Sequence, residues 1–322
     1  MPTNHCYAQP YMNAPSRVSS GPDTAAATLA AAGAEPSSPV LRDVRTRLVE
    51  AHSAEATMRM STGEVREAYL CKDLVAEDAV SLVYWEVDRA VVGVAAPVSA
   101  PLLLEAPDCL RAERFCERRE VGIVNLGGAG AVRVGDTRHG LGSFDVLYIG
   151  KGSGDIVFEP GRGKEAAPLY YMASYPAHRA CGTSRIPFAR EEGRRLGEKA
   201  RCNERSLHPM IAPGNAESCQ LVMGVTFLKE GSVWNTMPPH THLRRSEIYF
   251  YFDIRDDALV FHFMGKPEET RHIVVRNHEA VLSPGWSIHS GVGTANYGFV
   301  WAMGGENQEF GDMDAVDLSK MK

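Results

Sequence analysis

Apolar residues in this chain come in short runs rather than long periodic stretches. In the first half the runs are AVSLVYWEV, RAVVGVAAPV, REVGIVNLGG, GAVRVG and DVLYIG. In the second they are CQLVMGVTFL, GSVWN, EIYFYFDI, ALVFHFM, RHIVVRN, AVLSP and YGFVWAM. Each is rich in β-branched or aromatic residues and is closed by Gly, Pro, Asp or Asn, the signature of strands separated by turns. Their even spacing predicts an all-β chain of barrels or sandwiches. Helical spacing of Val44, Leu48 and Ala51 predicts a short helix from Asp43 to about Met60. PFAREEGRRLGEKAR reads as a solvated helix or linker. The glycines of GGAGAVRVGDTRHGLG lack the spacing and the following helix of a nucleotide loop, so they read as turn glycines.

These runs divide the chain into an extension (1–42), a first barrel (43–176), a linker (177–215), and a second barrel with a C-terminal tail (216–322). Residues 1–42 are rich in Ala, Pro, Ser and Thr, the composition of a disordered extension, with no hydrophobic signal core. Hydrophobic residues make up 44% of the chain, enough for an ordinary core. No apolar run is long enough to span a membrane as a helix. The net charge of −6, with both signs interspersed, argues against a nucleic-acid partner. The seven cysteines include no CxxC pair, so they read as reduced thiols of a cytoplasmic protein rather than a disulfide framework.

Candidate chemistry is concentrated in NTMPPHTHLRRSEIYFYF, residues 235–252. In an extended strand, residues two apart share a face, so His240 and His242 can direct two imidazoles to one side. Glu247 opens the next strand, and SPGWSIHSGVGT supplies His289 after a Pro-Gly turn. Three imidazoles and one carboxylate suit zinc, manganese, iron, cobalt or nickel. His139, His178, His208, His262, His272 and His278 lack this spacing and read as structural or solvated. In the first half, Glu120 opens VGIVNL as Glu247 opens IYFYF. Glu113 and Phe115 stand where histidines would be, and Asp155 where the lone histidine would be. The first barrel thus reads as a degenerate, metal-free copy of the second.

The HxH, Glu and downstream His spacing resembles that of the cupins, small jelly-roll β-barrels. MPPHTH, RRSEIYFYF, GKPEETRHIV, SPGWSIHSGVGT and GGENQEF together resemble the 4-deoxy-L-threo-5-hexosulose-uronate ketol-isomerase family, from about Val44 to Met321. Leu243 and Ser246 depart from the family pattern at positions that are not ligands. The resemblance implies two cupin barrels in one chain, a homo-oligomer with a hexamer as one form, and one divalent ion per chain, zinc foremost. His240, His242, Glu247 and His289 would be its ligands. It also implies conversion of 5-dehydro-4-deoxy-D-glucuronate to 3-deoxy-D-glycero-2,5-hexodiulosonate in pectin breakdown. A cupin iron dioxygenase and a non-catalytic sugar-binding cupin are the alternative functions.

Such an isomerase needs a proton carrier and a cation for the substrate carboxylate. Strand parity with Glu247 makes Tyr251 one candidate carrier, and Glu306 in GGENQ is another. Arg245 shares that parity and is the expected carboxylate ligand, with Arg244 and Arg271 as alternatives. The acidic tail from Gly311 is expected to pack between subunits.

Overall fold

A computed structural model describes residues 39–161 and 166–322. The expected 1–42 extension lies outside them except for its last four residues. Of these, Leu41 bridges to Leu102, and Arg42 pairs with Glu105 at 2.8 Å.

The chain forms two barrels of the same plan, each a seven-stranded sheet facing a four-stranded one. The first seven-stranded sheet runs in the order Val44–Val49, Val80–Trp85, Ala90–Ala95, Tyr170–Pro176, Arg119–Asn125, Val146–Ile149, Ser184–Ile186. The second runs Arg194–Leu196, Arg205–Ile211, Val222–Leu228, Gly298–Gly305, Arg245–Phe252, Ala280–Ser283, Leu70–Cys71. Inside the first barrel, Val91, Val121, Ile123, Leu147, Phe158 and Met172 make a separate apolar core. The outward faces of the two large sheets join in one larger core, where the rings of Tyr171 and Phe250 lie 4.5 Å apart. Gly122 sits at that contact. A Cβ there would come within 2.6 Å of Ile211 and 2.7 Å of Met223, so glycine permits the approach.

Three expectations change. The helix expected over 43–60 is two elements. Val44–Val49 is a strand parallel to Val80–Trp85, and Ala54–Met58 is a helix capped by Ser53. The apolar positions that suggested helical spacing do not share a face of a helix, and Leu48 is 63% exposed. A second helix, Thr62–Tyr69, carries a capping box between Ser61 and Glu64. Residues 177–215 are not a plain linker either. Ser184–Ile186 is an edge strand of the first sheet, while Arg194–Leu196 and Arg205–Ile211 belong to the second.

Finally, Glu120 does not occupy the place of Glu247. Register puts Arg119, Val121 and Ile123 on the inward face, so Glu120 points out of the first barrel. There it is fully buried and accepts the Tyr148 hydroxyl (2.6 Å) and the amide N–H groups of Cys219, Gln220 and Leu221 (2.6–2.8 Å). Asp155 is exposed and lies 3.5 Å from Arg114.

Candidate metal centre

His240–Thr241 is a two-residue strand paired with Asp314–Ala315. His242 follows it in a turn closed by the Arg245 N–H on the His242 carbonyl, 3.0 Å. Glu247 lies on Arg245–Phe252, held between Gly298–Gly305 and Ala280–Ser283. His289 precedes the strand Ser290–Gly293. Gly285 lets its loop close on the histidine turn, since a Cβ there would press on the carbonyl oxygens of His242 and Arg245 at 3.0 and 3.1 Å.

The four ligand atoms lie within 4.8 Å of one another. Glu247 Oε2 is 3.0 Å from the Nε2 atoms of both His242 and His289, and the Nε2 atoms of His240 and His289 are 2.9 Å apart. His242 Nδ1 donates to the Arg245 carbonyl at 3.0 Å, which leaves its Nε2 lone pair facing inward. Lone pairs converging on one buried point beside a carboxylate form a donor set that a divalent cation satisfies, so the residues fit a metal ion. Burial, and then the neighbouring His289, push the His240 pKa down to about 3. Burial also opposes charge on His242, but the Glu247 carboxylate outweighs it and raises that pKa. Burial disfavours the Glu247 carboxylate as well, yet His289 and His242 hold its pKa well below the usual range.

Behind the cluster, Tyr249 and Tyr251 face inward as parity predicts, and burial raises both phenol pKa values well above the usual 10. Tyr251 Oη is 2.7 Å from His262 Nδ1, and the buried His262 Nε2 has no partner among the described residues. The Tyr249 ring is 5.5 Å from the rings of both His262 and His289. Among the candidates, Tyr251 is thus inside the barrel. Glu306 is exposed and lines a cleft between the barrels.

The arginines are placed differently from expectation. Arg245 is buried, but its Nη1 and Nη2 donate to the carbonyls of Glu309 (2.8 Å) and Asp312 (2.7 Å). Arg244 pairs with Asp312 at 2.6 Å and Asp314 at 3.0 Å. Arg271 is bound to the Met58 carbonyl and lies 3.6 Å from Glu269, on the outer strand Glu269–Val275.

Sequence reasoning missed Arg205. Its register, Arg205↔Leu228 on Arg205–Ile211, puts it on the inward face of the sheet that carries Glu247, and its charge acts on Tyr249 and Tyr297. Taking residues 177–215 as a linker hid it, because strand parity was not applied there.

Two barrels joined back to back, one holding a buried His₃Glu cluster, define a bicupin with a metal-type centre. The chain belongs to the KduI/IolB family, whose pattern it matches over residues 70–321. It is 48% identical over 272 residues to a 4-deoxy-L-threo-5-hexosulose-uronate ketol-isomerase of Opitutus terrae, covering 84% of this chain and 97% of the relative. It is 47% identical over 268 residues to the protein of that name in Bacillus subtilis, covering 83% and 97%. Among solved structures, an IolB-like protein of Salmonella typhimurium superposes with a TM-score of 0.56 at 13% identity, covering 72% of this chain and 88% of that one. The last likeness supports the fold.

Proposed function

We propose that this chain is a metal-dependent ketol-isomerase that interconverts 5-dehydro-4-deoxy-D-glucuronate and 3-deoxy-D-glycero-2,5-hexodiulosonate in the breakdown of pectin uronates. The observation that carries the reading is the convergence of three imidazole nitrogens and one carboxylate oxygen in the interior of the second barrel, in a chain closely related to named ketol-isomerases. His240, His242, Glu247 and His289 would hold the ion, and zinc suits this donor set. When bound, such an ion supplies Lewis acidity to the carbonyl and hydroxyl oxygens of a sugar.

The remaining work falls to the side chains. Arg205 stands on the inward face, with Nη1 held by the Asn203 carbonyl at 2.9 Å, and its remaining N–H groups would bind the substrate carboxylate, fixing which end of the sugar meets the ligand cluster. The apolar and aromatic wall excludes water, which strengthens every charge interaction inside. Tyr251, paired with His262, is our candidate for carrying the proton between adjacent carbons. Its phenol is held protonated by burial, so it would act first as a hydrogen-bond donor to the developing oxyanion.

The test is turnover of the unsaturated-uronate product of pectin lyase digestion. Chelation should abolish activity and zinc should restore it. In heavy water, solvent deuterium should enter the new hydroxymethyl carbon. No turnover by the zinc-loaded chain would overturn the reading, and full retention of the original hydrogen would remove Tyr251 as a proton carrier.

A further inference from the structure

The mouth of the first barrel is a second cavity, of about 370 Å³, at the low end of the size range of small-molecule sites. Arg89, Arg118 and Arg119 line it together with Tyr84, Phe115 and His178, and among the described lining residues there is no carboxylate. Arg119 is central. It stands on the inward face with Val121 and Ile123, and only 5% of it is exposed. Its Nε donates to Ser174 Oγ at 2.7 Å, and its Nη2 to the carbonyls of Arg89 (2.9 Å) and Ser174 (3.0 Å). Among the described residues its Nη1 has no partner, and no acidic side chain pairs with it. Burial pushes its pKa down to about 10.

A guanidinium in that position is expensive, because a buried charge without a counter-ion retains most of its desolvation cost. The surroundings add cations instead of neutralising it. Arg89 has no ion pair among the described residues, and Arg118 is paired only at the rim, with Glu117 at 3.0 Å. Asp88 and Arg89 both hold φ at 50°, a left-handed conformation unusual outside glycine, in the turn whose Arg89 carbonyl meets Arg119. The walls are not uniformly polar. The Phe115 ring lies 5.6 Å from the Arg119 guanidinium, and Leu110 and Pro176 complete an apolar side. Guanidinium groups set directly beside aromatic and aliphatic side chains match an anion carried on a carbon skeleton better than a bare inorganic ion.

We propose that this cavity is a second ligand site, specific for a small organic carboxylate of sugar-acid size. The carboxylate would lie on Arg119 and Arg89, and the carbon skeleton against Tyr84 and Phe115. The site is separate from the His240–His242–Glu247–His289 cluster, which belongs to the other barrel.

The experiment is calorimetric titration of the zinc-loaded full chain carrying Arg205→Ala, the variant that should lose carboxylate binding at the proposed isomerase centre. The probe is D-galacturonate, with D-galactose and inorganic phosphate as comparators. We expect one galacturonate per chain and no galactose. Adding Arg89→Ala or Arg119→Lys should weaken binding at least about tenfold, since each removes charge-assisted hydrogen bonds. Arg89 is the rim variant that keeps the test valid if Arg119→Lys fails to fold. A crystal soaked with galacturonate should show its carboxylate on Arg119 and Arg89 and its carbon skeleton beside Tyr84 and Phe115. Unchanged affinity in both variants, equal binding of galactose, or binding of phosphate without galacturonate would each overturn the proposal. None of these readouts needs turnover, and the Arg89 and Arg119 variants separate binding here from binding at the His240–His289 cluster, so failure of this proposal is distinguishable from failure of the isomerase reading.

Discussion

At His240 the imidazole is kept neutral by burial and by His289, with its pKa near 3, so its lone pair is free for a ligand well into the acid range. Replacing His240 or His289 with Ala should therefore weaken metal binding at least about a hundredfold, more than loss of an outer supporting partner would. Elemental analysis of the purified variants checks this, and full metal content in either would remove that residue from the ligand set. The two inward arginines should separate by their effects. Arg205→Ala should raise KM at least about tenfold with a smaller change in kcat, as loss of a contact equal in ground and transition states does. Arg245→Ala should act on stability instead, costing about 1–3 kcal/mol, because two part-buried carbonyls lose a charged donor. His262 gives a pH prediction. Burial, with the nearby His289, lowers its folded pKa to about 3, against about 6.5 in an unfolded chain. Between those values the unfolded state takes up a proton that the folded state refuses, so stability is present above about 6.5 and is lost as pH falls toward 3. In His262→Gln, which can still hydrogen-bond to Tyr251, that loss should shrink by up to about 1.4 kcal/mol per pH unit. Urea midpoints at pH 7 and pH 5 measure it, and an unchanged difference between them would refute the assignment.

Among the elements, the C-terminal segment matters most to the site. Asp314–Ala315 pairs with His240–Thr241, Arg244 is tied to Asp312 and Asp314, and Arg245 to the Glu309 and Asp312 carbonyls. The acidic tail thus packs on its own chain and holds the HxH segment, where the sequence suggested contact between subunits. Truncation after Phe310 should lower metal affinity at least about tenfold by loosening two ligands, while both barrels still fold. A truncated chain that binds zinc as tightly as the full one would show that the clasp is irrelevant. The acid range should loosen the same clasp. The Arg244 guanidinium holds the Asp312 pKa down to about 2, so the contact is complete above about 4 and is lost as pH falls toward 2. Period-two strands closed by turn residues were legible, and so was the grouping of His240, His242, Glu247 and His289, because both rest on spacing alone. The strand Arg205–Ile211 was not, because Arg, Ser and His among its apolar residues resemble a solvated linker until a neighbouring strand covers them. The function of Arg245 was likewise hidden. Parity gave its face, but only the folded tail shows which acceptors its guanidinium meets.

At the scale of the whole molecule, the interior of the first barrel has its own core, but a second, larger core joins the two barrels. The larger apolar cluster takes residues from both seven-stranded sheets, and Leu70–Cys71, from the first half of the chain, is an edge strand of the second sheet. Glu120 adds a polar joint to this apolar one. Its carboxylate leaves the first barrel, accepts the Tyr148 hydroxyl, and takes three successive N–H groups from Cys219, Gln220 and Leu221 at the start of the second. A carboxyl group with four donors and no exposure has its acceptors filled, and replacing one oxygen with an amide nitrogen leaves N–H groups facing each other. Glu120→Gln should therefore destabilise the chain by about 2–4 kcal/mol and lower Tm by about 3–7 °C. Because the joint and the shared core bind both barrels, calorimetry should show a single transition in both proteins, moved down as a whole in the variant. The zinc content of Glu120→Gln at 20 °C should stay at the wild-type level, since Glu120 touches none of the four ligands. Two resolved transitions, only one of them shifted, would instead mean that the barrels unfold separately and that the joint does not couple them.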